Sequence, residues 1–211
     1  MIKLSVITVN YRGWVPLERC LNSLLSIKSE NFSLEVIIVD NFSNDGKLDE
    51  FAQKFPKFKF IKSEGNYGFA YGNNLGARHA TGDFLLFLNP DTIVEKDVVE
   101  TLINFLENNT DIGAVGPRLL NPDRTLQESA YPEPTLAREF WRLFHLDRFY
   151  YYAKYPMDEW SLIDARGVDV LMGACLLVRR RALNQVGLLD DNFFVYSEEL
   201  CFIGYYVFFI N

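Results

Sequence analysis

Gly82-Asp83-Phe84-Leu85-Leu86-Phe87-Leu88-Asn89-Pro90-Asp91-Thr92 decides the fold class of this chain. Its apolar run is long enough for one strand and offers no polar face, which is the signature of a strand covered on both sides. Proline cannot donate to a sheet ladder, so the strand must stop and the chain must turn at Pro90, leaving Asp91 at the carboxyl edge. In open α/β sheets that edge is where ligands bind. Asp91 is therefore a candidate metal ligand or diphosphate-site residue. The alternative is a cap on a helix that follows Thr92.

Working outward, the same pattern recurs. Leu4 to Val9 is a β-branched run that breaks at Asn10-Tyr11-Arg12-Gly13, and Val36-Ile37-Ile38-Val39 ends in Asp40-Asn41. Between them Leu17, Cys20, Leu21, Leu24 and Leu25 repeat at helical spacing, with Pro16 placed in the first turn. A polar helix is expected over 47–54, a strand over 58–61, a helix over 68–80, another carrying Val98, Val99, Leu102, Ile103 and Leu106, and a strand over 112–115. Strands alternating with helices, apolar throughout, predict an α/β domain with a mainly parallel central sheet covered on both faces. If the sheet is parallel, the ends at Asn10, Asp40 and Asn89-Pro90-Asp91 share one rim.

Periodicity fades after Pro117. Asn121-Pro122-Asp123-Arg124 reads as a turn, and residues 132–160 are dense in aromatic and basic side chains. That segment is expected to be an acceptor lid or packing segment, with a membrane-surface helix as the alternative. Strands return at 168–172 and 175–178, followed by a short helix near 181–186. No internal repeat, linker or clear boundary interrupts the 211 residues, so one domain is expected.

The chain carries 21 basic and 28 acidic residues, a net charge of −7, which argues against non-specific nucleic-acid binding. An acidic protein that handles a phosphate ligand needs a cation to bridge the two. Cys20, Cys175 and Cys201 are widely spaced and odd in number, matching neither a disulfide framework nor a zinc site, so free thiols are expected. Met1 runs directly into a strand pattern without a secretory signal, and the apolar tail from Leu200 to Ile210 is about half of the ~20 residues a spanning helix needs. The expectation is a cytoplasmic protein, with peripheral contact at the cytoplasmic face of the inner membrane.

Two further stretches carry chemistry. Gly65-Asn66-Tyr67-Gly68-Phe69-Ala70-Tyr71-Gly72-Asn73-Asn74-Leu75-Gly76 lacks the order of a dinucleotide fingerprint and has no Walker lysine. Glycines and amides at a helix start nevertheless turn backbone N–H groups and a positive dipole end toward a ligand; Gly72 and Gly76 can equally serve close helix–sheet packing. Val195-Tyr196-Ser197-Glu198-Glu199 pairs two carboxylates in an aromatic setting, suited to one raised pKa and a general base, or else to a solvated helix start. Asp40 can accept two donors of a ribose or base, or serve an Asx-turn or helix cap.

Taken together these residues resemble the inverting family-2 glycosyltransferases of the GT-A fold, in their bacterial rhamnosyltransferase-like branch. The resemblance rests on Val6-Ile7-Thr8-Val9-Asn10-Tyr11, Val39-Asp40-Asn41 with Ser43, Asn66 with Gly68-Phe69 and Asn73-Asn74, Asn89-Pro90-Asp91-Thr92, Gly116-Pro117-Arg118 and Gly173-Ala174-Cys175. It implies a nucleotide-sugar-binding half over 1–117 and an acceptor-side half over 118–211. Thr8, Asn10 and Asp40 would hold the nucleoside, with Tyr11, Asn41, Asn66, Gly68, Phe69, Asn73 and Asn89 completing the donor site. Asp91 would ligate Mg²⁺ or Mn²⁺, and the family's acidic pair falls on Glu198 and Glu199, with Glu199 matching the base.

The activity so implied is transfer of a sugar from dTDP-rhamnose or a UDP-sugar to a saccharide or lipid-linked acceptor, with inversion, in bacterial cell-surface polysaccharide synthesis. The partners implied are that donor, that acceptor, a homodimer mate and a membrane surface, and no nucleic acid. Residues 200–211 depart from the family's further acid and basic helix and read as a truncated or frame-shifted end that covers the sheet or self-associates. The alternative function is accordingly an inactive remnant that still binds a nucleotide or nucleotide sugar. A nicotinamide-dependent dehydrogenase fails on the absent fingerprint.

Overall fold

Val36-Ile37-Ile38-Val39 and Phe84-Leu85-Leu86-Phe87-Leu88 have no side fit for water, and every residue of both runs is buried. The computed structural model, which describes residues 1–95, 97–161, 164–192, 194 and 207–210, places them inside an eight-stranded sheet. In chain order the sheet strands are β1 (Ile2–Asn10), β2 (Phe32–Asp40), β3 (Lys59–Lys62), β4 (Phe84–Leu88) and β5 (Ala114–Pro117), joined by α1 (Trp14–Ser26), α2 (Lys47–Lys54), α3 (Phe69–His79) and α4 (Val98–Asn108). A hairpin follows, β6 (Leu119–Leu120) with β7 (Leu126–Gln127), turning at the expected Asn121–Arg124 with Arg124 at φ +66°. Then come β8 (Ala130–Tyr131), α5 (Leu136–Leu143), β9 (Arg166–Val168), β10 (Val170–Leu171), β11 (Cys175–Arg179), α6 (Arg180–Val186) and β12 (Val207–Ile210).

The spatial order is β3-β2-β1-β4-β11-β5-β12-β9. β3, β2, β1 and β4 run parallel, with Asn10 paired to Asp40 and Ile7 to Phe87. This register brings the three polar strand ends to one rim. The sheet is mixed rather than purely parallel: β11 enters antiparallel between β4 and β5, and β9 lies antiparallel to β12.

Alternation along each strand divides the core in two. Leu4 and Val6 of β1, with Leu86 and Leu88 of β4, face α1, α2 and α4; Ile7 and Val9, with Leu85 and Phe87, face α3 and α6. α3 lies close on β1 because its glycines leave room: a Cβ on Gly72 would sit 2.7 Å from Val9 Cγ1, and one on Gly76 2.4 Å from Ile7 Cγ2. On the opposite face Arg179 is buried where α4 ends. Its guanidinium donates to the carbonyls of Ile112 (2.9 Å), Asn109 (3.3 Å) and Leu106, tying β11 to the end of α4 and the turn after it.

The expected apolar tail proves to be an interior strand where it is described. β12 pairs with β5 and β9, and Phe209 is fully buried with its ring edge-on to Trp160 at 5.2 Å. It therefore extends the sheet rather than covering it. Among the described residues no helix is long and apolar enough to cross a membrane.

Candidate functional site

The rim begins with what β1 and β2 leave unpaired. Thr8 and Asn10 are two residues apart and so share a face of β1, and Asn10 and Asp40 are register partners. All three are buried, yet Thr8 Oγ1 and both amide atoms of Asn10 lack a hydrogen-bond partner. Asn41 Oδ1 and Asn73 Oδ1 share that condition. A buried polar atom left without a partner costs about 1–3 kcal/mol, so folded proteins keep few of them. Thr8 and Asn10 share the face of the sheet on which Asp40 lies, and with Asn41 beside it they mark a place prepared for a polar ligand; Asn73 lies on α3, on the other face.

Asp40 sits at the centre. Its carboxylate accepts the Ser43 N–H at 3.2 Å and the Ser43 hydroxyl, forming the local turn that the sequence offered as an alternative. Both functions are compatible, since a carboxylate has about four acceptor positions. Burial pushes Asp40 above the ordinary aspartate value, and the Ser43 hydrogen bonds oppose that shift only in part. Ser43 Oγ also accepts the Arg12 N–H at 2.8 Å, so one serine ties the two strand ends together.

The α3 start completes the floor. Asn41 Nδ2 donates to Asn66 Oδ1 (2.8 Å) and to the Gly68 carbonyl (3.1 Å), holding the glycine-rich loop against β2. Gly68 has φ +97°, and a Cβ there would lie 2.3 Å from the Phe194 carbonyl oxygen. Phe69 N–H donates to that same oxygen at 2.8 Å. Asn73 Nδ2 bonds back to the Phe69 carbonyl at 3.1 Å, leaving its Oδ1 unmet. Asn74 does something different: its amide clamps Leu189 in both directions, at 2.8 and 3.0 Å. Asn66 and Phe69 are half-buried, and Tyr11 is exposed with the Arg12 guanidinium 5.2 Å from its ring centre.

Asn89-Pro90-Asp91-Thr92 forms a turn closed by Thr92 N–H to the Asn89 carbonyl at 3.2 Å, with Pro90 in the position where its fixed φ is useful. Ala174 O accepts Asn89 N–H at 3.0 Å and the Thr92 hydroxyl at 3.3 Å, while the Cys20 thiol donates to the Asn89 carbonyl at 3.8 Å. The turn is thus pinned by β11's approach and by α1, contacts that sequence spacing could not reveal. Asp91 caps nothing, because α4 starts only at Val98. Its exposed carboxylate makes no hydrogen bond or ion pair among the described residues. Burial, then the Asp91 charge, pushes the Cys20 thiol up to about 12. Cys20 and Cys175 are buried free thiols, and neither is a nucleophile.

Among the described residues no three His, Cys, Asp or Glu side chains converge as a protein-only metal cage. One open carboxylate beside an amide suits a hard cation that takes its remaining ligands from water and from a diphosphate. The donor set therefore fits Mg²⁺ or Mn²⁺ bound together with substrate. Glu198 and Glu199 lie outside the described residues.

A parallel-sheet rim with unmet polar atoms, an acid at the second strand end and an open carboxylate past the fourth defines an α/β protein whose polar-ligand side is the carboxyl edge of its sheet. Residues 5–187 match the family described as Glycosyl transferase family 2, and the chain belongs to that family. It is 29% identical over 204 residues to the low-salt glycan biosynthesis hexosyltransferase Agl10 of Haloferax volcanii, covering 94% of this chain and 60% of that protein. It is 29% identical over 216 residues to the N-acetylglucosaminyl-diphospho-decaprenol L-rhamnosyltransferase of Mycobacterium tuberculosis, covering 93% and 68%. The GT-A fold is shared with GalNAc-T7, solved with UDP, GalNAc and Mn²⁺, at a TM-score of 0.72 and 16% identity over 100% of this chain and 42% of that one. The resemblance to the rhamnosyltransferase-like branch stands, and the chain spans 60% of the length of the first of these relatives.

Proposed function

We propose that this chain carries the donor-binding and catalytic part of a glycosyltransferase that uses a nucleotide-diphosphate sugar, dTDP-rhamnose or a UDP-sugar, in cell-surface polysaccharide synthesis. The observation that carries it is the group of buried, unpartnered polar atoms on Thr8, Asn10 and Asn41 at the strand ends beside Asp40. Hydrogen bonds to a base and ribose would satisfy those atoms together, and Asp40 retains acceptor positions for a base N–H or ribose hydroxyl. The α3 start, whose Phe69 N–H is already taken by the Phe194 carbonyl, would contribute the positive end of its dipole to the anionic part of the donor.

Asp91 and Asn89 would hold Mg²⁺ or Mn²⁺ with the diphosphate, and the bound cation supplies Lewis-acid stabilisation of the leaving charge. Glu199, with Glu198 beside it, would take the proton of the acceptor hydroxyl as that oxygen attacks the anomeric carbon from the opposite face, inverting its configuration. Phe194, four residues before Glu198 in the sequence, is bonded to Phe69 at the α3 start, and this supports assigning the base to that stretch of chain. The 1–117 half then binds the donor and the 118–211 half meets a saccharide or lipid-linked acceptor, at the cytoplasmic face of the membrane that bears it.

Titration of the protein with UDP- and dTDP-sugars in the presence of Mn²⁺, read as a rise in melting temperature, tests this directly. A rise in the unmodified protein, absent in Asp40→Ala, is expected. No response to any nucleotide sugar would overturn the proposal. Donor binding with neither transfer nor donor hydrolysis is the result expected of a binding-only chain.

A further inference from the structure

The most unusual surface of the molecule lies away from the rim, on residues 136–152. Thr135 Oγ1 accepts the Arg138 N–H at 3.2 Å and so starts α5 with a proper cap. Leu136, Phe140, Leu143 and Phe144 then recur at spacings of four, three and one, one side of a helix. Such a face ordinarily lies on the core. Here no residue of α5 is buried. Leu136 is 93% exposed, Leu143 73% and Phe149 74%, while the Phe140 and Phe144 rings pack tilted against each other with centroids 4.5 Å apart in the open. Single exposed apolar residues are common, but a contiguous group of this kind marks an interaction surface.

Its charge opposes that of the rest of the chain. Residues 136–155 hold four cations, Arg138, Arg142, Arg148 and Lys154, against two carboxylates, in a protein of net charge −7. A cleft of about 430 Å³ beside α5 is lined by Arg142, His145, Arg148 and Lys154, with Glu128 and Asp147. The two acids are already engaged: Asp147 accepts Tyr152 N–H and Ala153 N–H at 3.0 and 2.9 Å, and Glu128 pairs with Lys154 at 3.3 Å. Arg142 pairs with Glu139, whereas Arg148 has only the Phe149 ring, 4.8 Å from its guanidinium carbon, among the described residues. The base of the segment is firm. β8 pairs with β10, Tyr155 donates to Asp169 at 3.0 Å and its ring packs on Trp160. Three residues past β10, the Ala174 carbonyl holds Asn89, which ties this surface to the rim.

We propose that residues 136–152 dock the protein on an anionic lipid surface, with Leu136, Phe140, Leu143, Phe144 and Phe149 entering the acyl boundary and Arg142 and Arg148 meeting phosphate headgroups. Leucine and phenylalanine side chains on one face, with arginines on the far side of the helix and in the turn after it whose long stems can reach headgroup level, suit an interfacial helix. This deepens the transferase proposal by placing its surface of approach to a lipid-linked acceptor, but it is tested without any donor.

The experiment is flotation of the full chain with vesicles of phosphatidylcholine alone and of phosphatidylcholine mixed with phosphatidylglycerol. Binding to the mixed vesicles, weakened by salt, is expected. Arg142→Glu/Arg148→Glu should lower the partition coefficient at least about tenfold, and Leu143→Ser/Phe144→Ser should abolish flotation. Leu136→Asp, at the most exposed of these positions, serves if the paired variant melts early. Vesicle binding by the unmodified protein without any nucleotide response would leave docking standing and sink the transferase proposal. Absence of flotation, equal flotation of the variants, or a dimer that Leu143→Ser converts to monomer would overturn docking.

Discussion

At the β1–β2 rim, polar atoms are buried with no partner in the protein; on α5, apolar side chains are exposed with none. Both are unmet demands, of opposite chemistry, and each selects its own ligand. Thr8 and Asn10 lie on an interior strand of the sheet, framed by fully buried Ile7, Ile37 and Leu86, where close packing fixes their geometry. The α5 segment keeps only its base in the fold, and nothing in the core depends on the identity of its exposed residues. A specific small ligand calls for the first arrangement and a laterally fluid surface for the second.

The largest test of that contrast is Asp91→Ala. Loss of the open carboxylate in the Asn89–Thr92 turn should lower the proposed sugar transfer on the order of 10²-fold or more, as expected where stabilisation of a developing charge is removed. Chelation with EDTA should produce the same loss in the unmodified enzyme and little further loss in the variant. An unchanged rate in Asp91→Ala would show that the turn is only structural. For stability, Leu86→Ala in β4 should cost about 2–5 kcal/mol in urea unfolding, whereas Leu143→Ala in α5 should stay within about 0.5 kcal/mol. Comparable losses in the two would mean that α5 is packed in solution and erase the distinction.

Gly68→Ala should cost about 1–3 kcal/mol, because it combines a positive φ with a backbone contact at 2.3 Å that no rotamer can relieve. Its donor response should fall along with its melting temperature, since Phe194 is held there. The smallest effect is a pH dependence. Burial raises Asp40 in the folded state, so its contribution to stability is fully present below the ordinary aspartate value of 3.8 and is lost as pH rises through the raised value. At neutral pH, Asp40→Asn should therefore leave the free protein equally or slightly more stable, by on the order of 1 kcal/mol or less, while removing the nucleotide-sugar response. A variant that loses stability at neutral pH and keeps binding would reverse the assignment.

Much of this could be read from the chain, for identifiable reasons. β1, β2 and β4 are continuous apolar runs with nowhere to go but a covered sheet, and each ends in a polar group or proline that stops the ladder. Gly72 and Gly76 could be read either way, and the packing alternative holds for both, because β1 side chains occupy the space a Cβ would need. Less legible were contacts across long stretches of chain. β11 sits between β4 and β5 by antiparallel pairing with residues about 90 positions away, which no periodicity encodes. Nothing in the word Asn73-Asn74 distinguishes the amide left open at the rim from its neighbour clamped to Leu189.

The sequence by itself determined a covered, mainly parallel sheet and the residue types at its ends, because hydrophobic continuity and the missing donor of proline act locally. It also determined that residues 136–152 form an aromatic and basic segment. Only the tertiary structure decided that Thr8, Asn10 and Asn41 keep unmet atoms beside Asp40, and that α5 turns its apolar face outward. Whether a polar atom finds a partner, or an apolar face finds a core, depends on what other elements bring within reach, and that is a property of the assembled fold.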